Sequence, residues 1–227
     1  MKRFYITMTA ITLVLFTVFL IGKFKNIHTA STSAKISSKK TVVIDAGHGG
    51  KDAGTVGIDG TLEKDINLDI ALKLRDYLVV SGIRTILIRE GDFEFYPEGT
   101  DTARSDLYNR LDLVNEIPNS VLISIHQNHF TDESQWGTQI WYSPESENSK
   151  LLADKVLTNV KELLQPENNR ENKVSDSAYY ILYNAKVPSI MIECGFMSNS
   201  MENSRLKDNT YQKSITYSIL TGICEEV

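Results

Sequence analysis

Two hydrophobic periods alternate along this chain. Thr41-Val42-Val43-Ile44, Ser120-Val121-Leu122-Ile123-Ser124-Ile125 and Pro188-Ser189-Ile190-Met191-Ile192 are short, largely apolar, β-branched runs, the composition of strands buried in a parallel sheet. Ile83 to Arg89 and Thr138 to Ser143 add two more strand-like runs. Between them the period becomes helical. Ile66, Ile70, Leu74 and Leu78 predict an amphipathic helix to about Val80, with Thr61 at its N-cap and Gly82 at its C-cap. Leu107, Leu111 and Val114 predict a helix over 104–116, and Leu152, Val156, Val160 and Leu163 one over 149–164. Residues 165–176 are polar and turn-like, 179–182 lead into the last strand, and a closing helix runs from about Asn203 to Cys224. Residues 90–103 form a long acidic loop, of a length that usually signals function. Strands alternating with helices predict an α/β fold: a single domain with a mostly parallel twisted sheet and helices on both faces.

The pattern breaks at the N-terminus. Phe4 to Gly22 is nineteen residues without a charge, flanked by Lys2-Arg3 and by Lys23 and Lys25. As a hydrophobic helix preceding the domain it would span about 28 Å, close to a bilayer's hydrocarbon core. It is long for a signal-peptide core, and no good A-x-A precedes a cut near Thr29-Ala30. Residues 1–25 therefore read as a membrane anchor in preference to a cleaved signal segment, and 26–40 as a flexible tether holding a bystander, His28. The folded unit is 41–227.

Charge narrows the partners. All seven basic residues of positions 1–40 meet no acid there, which leaves 17 basic against 29 acidic residues in 41–227, net −12. Such a domain repels phosphate backbones, so nucleic acid is disfavoured. Its apolar content, 41% over the chain, suffices for a sizeable core. Cys194 and Cys224, the only cysteines, read as two buried free thiols in preference to a disulfide. Cys194 has no partner histidine in its motif, which argues against a nucleophile.

The chemistry concentrates where the apolar runs end. The first run stops at Asp45-Ala46-Gly47-His48-Gly49-Gly50, and a glycine-rich loop leads to a helix start carrying Glu63. A nucleotide-binding loop is disfavoured, since the spacing fails G-x-G-x-x-G at its last position and no G-K-[ST] follows. A tight turn with a surface histidine and a metal site using His48 and Glu63 both fit the stretch alone, and the metal reading needs a third ligand. The second run ends in His126-Gln127-Asn128-His129 and the third in Glu193-Cys194-Gly195. Ionisable residues thus gather at the C-terminal ends of strands, where open α/β sheets place their sites. Two histidines and a carboxylate with an open fourth position make a catalytic zinc arrangement, and a second carboxylate can serve as general base and acid.

Taken together, Val43-Ile44-Asp45-Ala46-Gly47-His48-Gly49-Gly50, Leu62-Glu63-Lys64-Asp65, Ser124-Ile125-His126-Gln127-Asn128 and Ile192-Glu193-Cys194-Gly195-Phe196-Met197-Ser198-Asn199 resemble the motifs of the zinc-dependent N-acetylmuramoyl-L-alanine amidases of bacterial cell walls. They fall in family order and span 41 to about 225. Ala46 stands where the family usually has proline, and His129 where it usually has a small residue. The resemblance implies one Zn2+ on His48, Glu63 and His126, Glu193 as catalytic carboxylate, and hydrolysis of the amide between N-acetylmuramic acid and L-alanine. Its substrate would be peptidoglycan, glycan strands with stem peptides, outside the cytoplasm. That place of action outweighs the flanking charges, two before the apolar run and five between 23 and 40, because large domains translocate largely regardless of charge.

Arg110 and Arg170 match arginines near the family's groove and, with Asn128 and His129, are candidate substrate contacts. Tyr179, Tyr180 and Tyr183 are core or groove lining. A tethered catalytic domain without wall-binding repeats resembles the sporulation and germination amidases that prepare spore cortex for muramic-lactam formation, and implies an activating or targeting partner protein. Two rival functions remain: a zinc hydrolase for another peptide or an ester, and a non-catalytic wall-binding module. The second would need none of His48, Glu63, His126 and Glu193.

Overall fold

The computed structural model describes residues 40–97 and 105–226. The candidate anchor, nearly all of the tether, and positions 98–104 of the long acidic loop lie outside the described residues.

The apolar runs become strands: β1 (Thr41–Ala46), β2 (Thr85–Leu87), β3 (Ser120–Asn128), β4 (Gln139–Tyr142), β5 (Lys173–Val174) and β6 (Ser189–Phe196). Among the described residues they form one sheet in the order β2-β1-β3-β6-β4-β5. The β1–β2, β1–β3, β3–β6 and β4–β5 pairs are parallel, and only the β4–β6 pair is antiparallel, so β4 and β5 both run against the other four strands. The helices are α1 (Glu63–Val80), α2 (Asp106–Glu116), α3 (Glu147–Leu163), α4 (Tyr180–Asn184), α5 (Ser200–Lys207) and α6 (Asn209–Cys224). None is long and apolar enough to cross a membrane among the described residues.

Because strand side chains alternate between faces, each strand serves two environments. Val42, Ile44 and Ala46 of β1, Val121, Ile123 and Ile125 of β3, and Ile190, Ile192 and Cys194 of β6 enter the large core beneath α1, α3 and α6. Val43 and Leu122 point the other way, into a small cluster with Leu111 and Val114 of α2 and Ile181 of α4. On that second face the register continues through Asp45, Ser124 and Met191, then His126, Glu193 and Gln139.

Several expected details differ. Helix α1 starts one residue later than a Thr61 cap requires, with Leu62 at the N-cap. It ends at Ser81, after which Gly82 (φ 78°) and Ile83 donate to Val79 O and Leu78 O, the paired bonds of a Schellman stop. The closing helix is two helices. Asp208 ends α5, and its side chain accepts from Tyr211 N at 2.8 Å to begin α6, so the chain turns where one long helix was expected. Residues 165–176 hold the short edge strand β5, and 179–182 lead into a helix, α4. Cys194 is buried and free as expected, whereas Cys224, on the last turn of α6, is free but exposed.

Candidate metal centre

Past β1, Gly47 N still donates to Ile125 O at 3.0 Å, so the chain stays in the sheet up to His48. A Cβ at position 47 would overlap the His126 ring, and only glycine lets the two segments approach so closely. The turn beyond is closed by Gly49 N to Asp52 O at 2.9 Å and Asp52 N to Gly49 O at 3.1 Å. This brings Asp52 Oδ2 to 2.8 Å from His48 Nδ1 and leaves Nε2 facing Glu63 Oε2 at 3.3 Å. An acidic partner on the far ring nitrogen is how metal-binding histidines are commonly oriented.

Glu63 opens α1 and is 3% exposed. Its Oε1 accepts from Gln127 N at 3.0 Å and Asn67 Nδ2 at 3.2 Å, and lies 3.1 Å from His126 Nδ1. Its Oε2 accepts from Thr55 N at 2.8 Å. Burial alone would raise this carboxyl's pKa, but the two histidines hold it well below the usual range. Burial likewise opposes charge on His48, and the hydrogen bonds and charges of Glu63 and Asp52 overcome it, raising the imidazole to about 9. One ligand atom from each of His48, Glu63 and His126 lies within 4.8 Å of the others. Two imidazoles and a carboxylate so close, with His48 and Glu63 also held by groups outside the trio, fit a divalent metal of borderline softness.

Glu193 pairs in register with His126 on one side and Gln139 on the other. Its Oε2 is buried and has no hydrogen-bond partner, an acceptor left for something not supplied by the protein. Burial, reinforced by Glu63 and opposed by His126 and His48, pushes its pKa up to about 7. A cavity of about 460 Å³ opens beside this cluster, lined by His48, Asp52, Glu94, Tyr96, His126 and Tyr179 among others. Tyr179 also stacks on Trp141, with centroids 4.5 Å apart. Its phenol is pushed up to about 12 by burial and by the charges of Glu193 and Asp176.

The other candidates scatter. Arg110 lines the cavity but is 2% exposed, and its donors go to Asp45, Asp106 and the carbonyls of Ala46 and His48. Arg170 is outside that cavity; it bonds Trp136 O, Gln139 and Gln135 and covers the Phe196 ring at 4.3 Å. Asn128 Oδ1 accepts from His129 N, and the His129 side chain is exposed away from the cavity. Tyr180 lines the cavity and Tyr183 is exposed. Asp52, Asn67 and Gln127 escaped sequence reasoning. Asn67 stands four residues after Glu63, the spacing at which helical side chains meet, and was findable. Asp52 carried only a weak signal, a charge inside a glycine-rich loop.

The sequence model of the family described as N-acetylmuramoyl-L-alanine amidase matches residues 42–225. The germination-specific N-acetylmuramoyl-L-alanine amidase of Bacillus subtilis (strain 168) is 34% identical over 194 residues, 82% of this chain and 79% of that protein. The CwlD amidase from Clostridioides difficile, solved in complex with the GerS lipoprotein, superposes with a TM-score of 0.76 at 39% identity, over 82% of this chain and 98% of that one. The amidase AmiC2 of Nostoc punctiforme gives 0.72 at 30% identity, over 83% and 97%.

Proposed function

The chain belongs to the N-acetylmuramoyl-L-alanine amidase family, and we propose that it performs the family's hydrolysis with zinc held by His48, Glu63 and His126 and with Glu193 as acid and base. The observation that carries this reading is the convergence of the three ligand atoms beside a buried, unpartnered carboxylate oxygen. When bound, zinc supplies a Lewis acid for the amide carbonyl and brings the pKa of a coordinated water down to about 7. Glu193 would receive the water's proton and pass it to the departing L-alanine nitrogen, acting first as general base and then as general acid. Asp52 keeps His48 Nε2 turned inward, and Gln127 N and Asn67 fix the Glu63 carboxylate. Purified protein should contain one zinc and release stem peptides with new L-alanine amino termini from peptidoglycan. Peptidoglycan left intact by zinc-loaded protein would turn the assignment toward a different peptide or ester.

Spore cortex is the setting we favour, supported by the likeness to a germination-specific relative and to CwlD. The solved complex of CwlD with a lipoprotein supports a partner protein for this chain too, in the extracytoplasmic space where cell-wall amidases act. Residues 1–25 would anchor the chain, and the 26–40 tether, reaching roughly 50 Å when extended, would present 41–227 to nearby wall. Full-length protein should then stay with membranes, while a chain starting at Lys40 is soluble and active. Mature protein beginning near Ala30 would replace the anchor by a cleaved signal.

A further inference from the structure

Arg89 and Arg110 are the largest side chains among the described residues to be almost wholly buried, 1% and 2% exposed. They come from different elements, Arg89 from just after β2 and Arg110 from α2, yet converge on one short segment. Ala46 O accepts from Arg89 Nε and from Arg110 Nη1, both at 2.8 Å. Gly47 O accepts from Arg89 Nη2 at 3.0 Å, and His48 O from Arg110 Nη2 at 2.7 Å. Three successive carbonyls are therefore turned toward two guanidiniums. The segment needs such a grip, because His48 has φ 62°, a conformation non-glycine residues adopt only when their surroundings impose it.

Arg89 does more than hold one loop. Its Nη2 also donates to Lys64 O at 2.8 Å, in the first turn of α1 beside Glu63. One guanidinium thus ties the residue before His48 to the residue after Glu63. Room for it is reserved in the sequence: Gly49 has φ 136°, and a Cβ there would sit 3.0 Å from Arg89 Nε. Arg110 is neutralised by Asp45 at 2.7 Å and Asp106 at 2.8 Å, whereas the acceptors of Arg89 are backbone carbonyls, including Gly91 O at 3.0 Å. Burying a guanidinium among carbonyls is costly for mere packing, which points to a task.

We propose that Arg89 and Arg110 are positioning residues for the metal centre, a clamp that sets His48 and Glu63 at ligand distance before any metal arrives. The inference rests on the ligand assignment above. Lysine keeps the charge of arginine but lacks the planar fork that reaches several acceptors at once. In full-length protein stripped with a chelator, Arg89→Lys should bind zinc about 10- to 100-fold more weakly, the range for partners that orient metal ligands. Zinc affinity is read by competition with a chromophoric chelator, and the metal-free unfolding midpoint is recorded beside it. Ile219→Val or Ile219→Ala, on the buried face of α6, supplies a control matched in midpoint that should bind zinc as wild type does.

Equal affinity in Arg89→Lys and wild type, or equal zinc loss in the matched control, overturns the clamp. Wild-type protein that takes up no zinc overturns the ligand assignment, and the clamp with it. Should Arg89→Lys not fold, the wild type still decides. Amides of Gly49, Gly50 and Asp52, all hydrogen-bonded here, should exchange equally slowly with and without zinc. Protection that arises only on adding zinc overturns the proposal.

Discussion

The two faces of the sheet are made by the same strands and do opposite work. On the face under α1, α3 and α6, β3 presents Val121, Ile123 and Ile125, all within 1% of complete burial. On the other face the same nine residues present Leu122, Ser124 and His126, ending in polar groups below a cavity. Four helices contribute to the first core, α5 through Leu206 alone, and among the described residues only α2 and the five-residue α4 cover the second. Stability can be concentrated on one face because alternation lets a strand be apolar on that side whatever it carries on the other. Glu63 joins the faces: it starts α1, a helix of the packed face, and reaches over the strand ends to histidines of the open one.

Substitutions on the open face should separate chemistry from folding. His48→Ala or His126→Ala should leave folded protein that has lost most of its zinc and with it turnover, since two ligands hold a catalytic ion poorly. Glu193→Ala should retain zinc while activity falls about 100-fold or more, the scale of general acid–base catalysis. Metal content and peptide release, measured on the same samples, check both. Zinc lost along with activity in Glu193→Ala would make Glu193 a ligand.

The packed face should answer in the opposite way. Ile123→Ala removes a side chain that is 0% exposed and should cost about 2–5 kcal/mol, or roughly 2–4 °C in midpoint per kcal/mol, with zinc binding intact. Its neighbour Ser124→Ala deletes only the 2.8 Å bond to Asp45 Oδ2 and should cost about 1 kcal/mol. Comparable losses in thermal unfolding would mean that the faces do not divide the work.

Much of this division was legible in the residues. A strand end is marked by the residue that interrupts an apolar run, so His48, His126 and Glu193 could be placed at one sheet edge without knowing any angle. Long-range pairings left no such mark. Arg89 follows a strand whose purpose looked complete, and three of its four acceptor carbonyls are 25 to 43 residues distant. The antiparallel insertion of β4 has no local signature either, since Gln139–Tyr142 is as apolar as a parallel strand of that length. The break at Asp208 did have one. Asp-Asn-Thr is strong capping composition, outweighed by a helical apolar period that runs on through it.

A pH-dependent effect of similar size ties the two faces to a single free energy. Glu193 titrates near 7 in the fold, chiefly because it is buried, against 4.5 for an ordinary glutamate. Between those values the native protein keeps a proton that the unfolded chain has released, so rising pH favours unfolding there. Above pH 7 the ionised carboxylate costs the metal-free protein up to about 3 kcal/mol, from 1.36 kcal/mol per pH unit. Below about pH 4 both states are protonated and the cost vanishes. Glu193→Gln, neutral throughout, should therefore unfold like wild type near pH 4 and be more stable by about 1–3 kcal/mol at pH 8. Zinc should shrink the gap, because a cation beside the carboxylate favours its charge. Denaturant midpoints at the two pH values, with and without zinc, make the measurement. A variant no more stable than wild type at pH 8 would show that the open face carries no such strain and that Glu193 is not held as an acid awaiting its metal.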